Sequence, residues 1–295
     1  EIPDESIGYS VFSPPFDSLY TYTDSPEDIG NCADADEFFA HMGFLMPELY
    51  RVLKPGRLLS MHCMDLPATK ERDGFIGLKD FPAQLRECAE RAGFIYHSKV
   101  CIWKDPLVAA TRTKALGLLH KQLVKDSSRS RQGIADYIIT LRKPGDNTEP
   151  IAHGTGFSEW IGDPDQEPRE MVTDDAATNK KSHVIWQRYA SPVWMDIDQT
   201  NVLPYTGARS EKDERHICPL QLDCIARCLE LWSNPGDTIL DPFNGVGSTG
   251  YESVKRGRKY IGIELKDSYA SQSIKNLRSA TEHAQFSLLD FSEGA

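Results

Sequence analysis

An apolar strand that runs into two consecutive prolines constrains this chain more than any other feature. Tyr9 to Phe12 reads as a short buried strand, and Ser13-Pro14-Pro15-Phe16 stops it. Neither proline can donate to a sheet ladder, and each fixes its own φ. Pro14 also holds Ser13 in an extended conformation. A stiff loop therefore leaves the carboxyl end of a strand, presenting a hydroxyl, backbone carbonyls and an aromatic face. Those parts suit a planar ring that carries an amine. Any strand can end this way, so the tetrapeptide gains meaning only beside a second signal.

That signal lies far downstream. Thr238-Ile239-Leu240 is an apolar strand leading into Asp241-Pro242-Phe243-Asn244-Gly245-Val246-Gly247-Ser248-Thr249-Gly250, with a helix expected over about Ser248 to Lys255. Glycines at a strand-to-helix turn let backbone pass close to a ligand, and the helix N-terminus favours polar or anionic groups. Tyr260 to Glu264 is read as a further apolar strand ending in an acid. A carboxylate one βαβ step from the glycine turn suits the hydroxyls of a ribose. The glycines also spell Gly245-x-Gly247-x-x-Gly250, which raises a dinucleotide-binding reading. The preceding Asp-Pro-Phe is atypical of that fingerprint, and too little chain follows Glu264 for a second mononucleotide-binding half.

Together the two motifs make the chain resemble the DNA amino-methyltransferases, in the permuted class where the catalytic motif precedes the cofactor motif. The likeness extends to Leu49-Tyr50-Arg51-Val52-Leu53-Lys54-Pro55-Gly56-Arg57, similar to the helix, turn and strand after that family's catalytic loop. It also includes His216-Ile217-Cys218-Pro219-Leu220-Gln221, similar to the segment opening the first helix of the cofactor site. The resemblance implies an α/β fold with a mostly parallel, Rossmann-like sheet built from two separated segments, and a recognition region inserted between them. Its cofactor would be S-adenosylmethionine. Asp241, Pro242, Phe243, Gly245 and Gly247 would line the methionine side, Glu264 would hold the ribose, and His216, Pro219, Ser248 and Thr249 would complete the pocket. In related enzymes a short acidic motif ahead of the first strand helps hold the adenine. That motif is absent here, so a fragment of a longer protein or a processed chain is expected. Asp290, in the apolar stretch Phe286 to Phe291, is the candidate replacement.

Charge and cysteines narrow the surroundings. Net charge is −11 over 295 residues, yet Lys99 to Gly145 carries ten basic residues against three acids. A basic segment in an acidic chain is the footprint of phosphate neutralisation. Arg112, Lys114, Lys125, Arg129 and Arg131 are the expected backbone contacts on double-stranded DNA. The plainer account of such a run is a solvated charged face. Cysteines 32, 63, 88, 101, 218, 224 and 228 form no Cys-x-x-Cys pair, which fits a reducing cytoplasm and argues against a zinc ribbon. Leu222, Ile225, Leu229 and Trp232 share a helical face with Cys228, so helix burial explains these thiols better than a metal site with His216. No metal is expected. No apolar run is long enough to cross a bilayer, and no secretory leader is seen.

The chain divides into 1–98, the catalytic part; 99–205, a basic and irregular target-recognition region; and 206–295, the cofactor part. A helix is expected over about 34–53, kinked or split at Pro47, with Pro55-Gly56 turning into a strand from Leu58 to His62. A helix over about 80–92 should precede strands at Phe94–Trp103 and Tyr137–Leu141. Residues 144–205 are rich in Pro, Gly and Asp, with Trp160, Trp186 and Trp194 but no sustained periodicity. Three tryptophans argue against a disordered linker.

The implied reaction is methyl transfer to an exocyclic amine in DNA after base flipping. Phe16, in place of the family's commoner tyrosine, would stack on the base, while Ser13 and the Pro14 carbonyl accept hydrogen bonds from its amine. Serine at the first motif position is found mainly in enzymes acting on N4 of cytosine, which favours cytosine; N6 of adenine is the alternative. A nicotinamide-dependent oxidoreductase leaves Ser13 to Phe16 unexplained, and an inactive DNA-binding module should carry damaged motifs. A homodimer, a companion restriction enzyme and a fused upstream domain stay open as partners.

Overall fold

A computed structural model describes residues 1–17, 25, 27–113, 115–205, 208 and 219–292; the side chains of Arg112, Thr113, Leu116 and residues 283–292 lie outside that description. The strands are β1 (Ile7–Phe12), β2 (Leu53–Met64), β3 (Leu66–Ala68), β4 (Gly77–Lys79), β5 (Ile95–Ile102), β6 (Asp136–Arg142), β7 (Val193–Trp194), β8 (Thr238–Asp241) and β9 (Lys259–Gly262). Seven of them form one sheet in the order β7-β5-β6-β2-β1-β8-β9, and β3 pairs with β4 apart from it. Within the large sheet β6 alone runs against its neighbours; β1 is parallel to both β2 and β8. The expected mostly parallel α/β sheet is therefore present.

Helices follow the apolar spacing of the sequence. They are α1 (Ala35–Val52), α2 (Lys70–Asp73), α3 (Phe81–Arg91), α4 (Pro106–Thr113), α5 (His120–Lys125), α6 (Lys180–Tyr189), α7 (Leu222–Trp232), α8 (Ser248–Lys255) and α9 (Asp267–Ser292). Asp34 and Asp80 cap α1 and α3 by accepting from the backbone N–H of Glu37 and Ala83. All six residues of β1 are buried, as a strand covered on both faces must be. On one face Ile7 and Phe12 pack with Phe38, Met42, Met46 and Leu85 of α1 and α3. On the other, Tyr9 and Val11 pack with Cys224, Ile225, Cys228 and Leu229 of α7. The Tyr9 hydroxyl crosses the sheet to Ser60 Oγ (2.6 Å), which meets Thr140 Oγ1 (2.8 Å), so three neighbouring strands share one buried polar line.

Several local expectations change. Pro47 sits inside α1 without splitting it. Pro55-Gly56 lies within β2 instead of preceding it: β2 starts one residue after α1 and bulges, with Ile7 opposite Leu53 and Tyr9 opposite Leu58. Gly56 has φ +72°, which a glycine adopts without steric cost, and its N–H donates to Lys143 O (3.0 Å). The last strand ends at Gly262, leaving Glu264 just beyond it. Residues 144–205 are less irregular than their composition suggests, because α6 and β7 form there and β7 joins the large sheet against β5. Trp194 is fully buried beside Ile102 and Ile225, whereas Trp186 is exposed. The α6 face escapes a periodicity search because only Ile185 and Tyr189 carry large buried side chains.

Candidate active site

The carboxyl ends of β1 and β8 are adjacent, and the loops that leave them diverge to open a cleft of about 320 Å³. In open α/β sheets this is where ligands bind. Ser13 and Pro15 form one wall, while Asp241, Pro242, Phe243 and Gly245 form another. Ser248 and Thr249 come from the first turn of α8, Glu264 from the loop after β9, and Pro219 from the approach to α7. The two motifs, distant in sequence, thus face one cleft. They are tied directly: Thr249 Oγ1 donates to Val11 O (3.2 Å), and the Phe12 and Phe243 rings lie 5.7 Å apart.

The glycine loop is shaped by its backbone. Gly245 and Gly247 have φ +53° and +86°, and Gly247 occupies the N-cap of α8. A Cβ at Gly247 would collide with Ser273, so glycine is required there on two counts. Asn244 anchors the loop through its backbone N–H to Ile263 O (2.9 Å) and its side-chain oxygen to the Tyr260 hydroxyl (2.7 Å). Asp241 accepts from the Phe243 N–H at 2.8 Å. Its burial, only partly offset by that bond and by Thr249, pushes the carboxyl up to about 7, and the Glu264 charge adds to the rise. Glu264 is also raised by burial, although it accepts from the backbone N–H of Gly245 (2.6 Å) and Lys266 (2.9 Å). The Ser248 hydroxyl is buried in the cleft wall and has no hydrogen-bond partner among the described residues. A polar ligand that enters between Asp241, Glu264 and Ser248 meets two acceptors and one unsatisfied hydroxyl.

The proline loop leads to a second polar group. Ser13 is half-buried, and its Oγ lies 3.0 Å from His62 Nδ1 at the carboxyl end of β2. The other ring nitrogen, Nε2, faces Asp136 Oδ2 at 3.2 Å, and that oxygen meets Lys104 Nζ at 2.5 Å. Burial would push the Asp136 carboxyl up, but His62 and Lys104 outweigh it and hold the group below its ordinary value. Phe16 is half-buried, its ring 5.8 Å from the His62 ring and 6.1 Å from Phe81. Asp17 then turns the chain with φ +53°, buried and held by Lys79 of β4 at 2.8 Å. This pins the far end of the proline loop to the small β3–β4 pair.

Pro14, Phe16 and Gly247, expected at the site, adjoin cleft-lining residues in sequence but do not themselves line the cleft. His216 and Lys114 lie outside the described residues, as do the side chains of Arg112 and Asp290. Part of the basic segment is committed to local partners: Lys143 is buried against Leu53 O (2.8 Å) and Lys104 holds Asp136, while the exposed Lys99 covers the Tyr137 ring at 3.9 Å and the exposed Arg142 donates to Gly145 O (3.0 Å). Lys125 and Arg129 are exposed, Arg129 with Asp126 at 3.5 Å, and Arg131 is half-buried beside Gly117. Cys224 and Cys228 are buried on α7 as free thiols, Cys228 pushed up to about 12 by burial. Among the described residues no cluster of three His, Cys, Asp or Glu side chains is placed to hold a metal, and no helix is long and apolar enough to cross a membrane.

Leu220, in the segment expected to open the cofactor site, lines the cleft, whereas Asp28, Ile29, Tyr205, Asn244 and Tyr269 escaped the sequence reading. Asp28 caps a short 3-10 turn, Ile29–Asn31, by accepting from the Gly30 N–H, a signal present in Asp28-Ile29-Gly30. Tyr205 and Tyr269 carry none, since aromatic residues in loops and at helix starts are ordinary. His62 lies near the end of the apolar run of β2, followed only by Cys63 and Met64, and a polar residue near that end of a strand was the available clue.

Comparisons with known proteins agree on one family. A family profile described as DNA methylase, covering N6 and N4 methyltransferases, matches residues 9–275. A protein of Escherichia coli K12 named DNA adenine methyltransferase YhdJ is 35% identical over 86 residues, which are 28% of this chain and 29% of that protein. Matches to the first curated relatives cover 24% to 61% of their lengths. Among solved structures, a Thermus thermophilus protein in complex with S-adenosyl-L-methionine superposes with a TM-score of 0.62 at 19% identity, covering 95% of this chain and 90% of that one. The PvuII DNA methyltransferase, described as cytosine-N4-specific, gives 0.59 at 15% identity over 97% of this chain and 86% of its own. At such identities these likenesses establish the fold.

Proposed function

The chain belongs to the DNA methylase family of N6 and N4 methyltransferases, and from that premise we propose that it transfers a methyl group from S-adenosylmethionine to the N4 amine of cytosine in double-stranded DNA. The observation that carries this reading is the meeting of Ser13 and Asp241 on one cleft. S-adenosylmethionine, when bound, supplies a methyl group made electrophilic by its sulfonium. Asp241, Phe243, Gly245, Gly247 and Ser248 would hold its methionine side, and Glu264 its ribose. The Ser248 hydroxyl, unpartnered among the described residues, and the positive-φ glycine loop fit such a ligand.

The target base must leave the duplex, at a cost of a few kcal/mol. Phe16 would offset part of it, since stacking on an aromatic ring is worth about 1–3 kcal/mol per base. Ser13 Oγ and the Pro14 carbonyl would accept hydrogen bonds from the exocyclic amine and aim its lone pair along the line of attack. Catalysis then rests on orientation and preorganised dipoles, with no enzyme nucleophile. Lys125, Arg129 and Arg131 would neutralise phosphates.

Serine at the first motif position supports cytosine; the E. coli relative's name supports the adenine alternative. Transfer of tritium from methyl-labelled S-adenosylmethionine to unmethylated plasmid DNA tests the reading. Wild-type protein is expected to label the DNA and S13A to lose most of that activity, whereas equal labelling by both would remove Ser13 from the site.

A further inference from the structure

The contact chain Ser13–His62–Asp136–Lys104 begins at the cleft wall and ends at a lysine whose side chain is 29% exposed. We propose that His62, backed by Asp136, is the proton acceptor that acts through Ser13 during methyl transfer. This rests on the methyl-transfer reading above and adds to it a residue that neither motif contains.

The chemistry needs such a group. The amine nitrogen uses its lone pair to bond the methyl carbon, the carbon–sulfur bond breaks, and that electron pair stays on sulfur. The nitrogen then carries one proton too many. A serine hydroxyl is a poor final acceptor, because it is a very weak base at neutral pH. With His62 Nδ1 at 3.0 Å, Ser13 Oγ can take the amine proton while its own proton passes to the ring. The imidazolium so formed faces the Asp136 carboxylate at 3.2 Å. Both His62 and Asp136 are buried, at 7% and 2% exposure, so the carboxylate faces the ring across little water. Lys104 balances Asp136 before the transfer, and the carboxylate sits between two cations after it.

The groups facing the ring are Ser13 and Phe16 from the proline loop and Asp136 from β6, with Lys104, beyond β5, reached through Asp136. A purely structural histidine would have no need of a half-exposed hydroxyl on the cleft wall as its Nδ1 partner. The relay requires one tautomer: a neutral ring with its proton on Nε2, toward Asp136, and Nδ1 bare to accept from Ser13.

Two independent measurements test this on the full chain. Nitrogen-15 spectra of the ring, recorded without cofactor, should show His62 protonated at Nε2; a proton on Nδ1 overturns the relay whatever the activity. Single-turnover methyl transfer to unmethylated plasmid DNA should fall about 100-fold in H62Q, within the range of general-base catalysis. Kd values for S-adenosylmethionine and DNA should stay within about threefold, because Ser13 and the cofactor loop are untouched. S13A/H62Q should be no slower than S13A alone, since the two residues act as a unit. Multiplying losses would give His62 a separate role and overturn the relay. If H62Q folds poorly, D136N keeps the ring and removes its counter-charge, and should slow transfer by about tenfold; a wild-type rate there refutes the account equally. A wild-type protein that labels no DNA overturns the proposed function and the relay together, whereas labelling by H62Q at the wild-type rate overturns the relay alone.

Discussion

The two ends of the central strands are equally buried but differently wired. At the amino end, Arg57 is fully buried and pairs with Asp237, while its Nε donates to Gly8 O (2.7 Å) and its Nη1 to Glu149 O (3.0 Å). Asp237 also accepts from the Asn234 N–H (2.7 Å), and nearby Lys143 reaches Leu53 O and Glu5. Gly8 is needed there because a Cβ would strike the Asp237 carboxyl. At the carboxyl end, Asp241 and Glu264 are held by backbone N–H groups, both carboxyls are raised by burial, and Ser248 Oγ has no partner among the described residues. One end commits its buried charge to closing the sheet. The other holds buried polar groups incompletely compensated, which is the condition of a binding site.

The contrast predicts opposite phenotypes. Asp237→Ala should cost about 3–5 kcal/mol of stability by stranding Arg57, with little change in S-adenosylmethionine affinity of the folded protein. Denaturant titration beside calorimetry checks this, and a loss of affinity at wild-type stability would erase the distinction between the ends. Asp241→Asn should do the reverse. Because the folded Asp241 carboxyl lies near 7 and its unfolded value near 3.8, its stabilising contribution is complete below about pH 4 and is lost as pH rises through about 7. The asparagine variant should lack that part of the decline, on the order of a few kcal/mol, and stability curves from pH 4 to 8 that superpose for the two proteins would contradict it. Asp241→Ala and Glu264→Ala should each weaken S-adenosylmethionine binding by about tenfold, a typical charge-assisted contact; unchanged affinity in both would move the cofactor elsewhere. The smallest effect is expected at the surface: R129A/R131A should flatten the salt dependence of DNA binding by about one unit of slope per lost phosphate contact. Unaltered slopes would make that segment a solvated face.

The cofactor end was legible because its demands are local. Asp241 to Gly250 specifies a strand end, a positive-φ turn and a helix start in one run of sequence, and α8 begins at Ser248 as expected. Ser13 was legible for the same reason: two prolines announce a rigid loop. His62 and Asp136 were not, since each looks like the last or first polar residue of an apolar strand, and only the antiparallel pairing of β2 with β6 sets them face to face. The basic segment misled in part, because composition counts charges without their partners. Lys143 is committed to Glu5, far away in the sequence, and Lys104 to Asp136 on the next strand. Residues 144–205 hid β7 because two residues of strand carry no period at all, and Trp194 becomes core only through β5.

The central claim is that this cleft brings a methyl donor to an exocyclic amine of cytosine. Nucleoside mass spectrometry of unmethylated plasmid DNA, incubated with the purified protein and methyl-deuterated S-adenosylmethionine, tests it most directly. The account predicts deuterated N4-methylcytosine as the product, much reduced when S13A replaces the wild type. N6-methyladenine as the sole product would contradict the base assignment, and DNA without any deuterated nucleoside would contradict the activity itself.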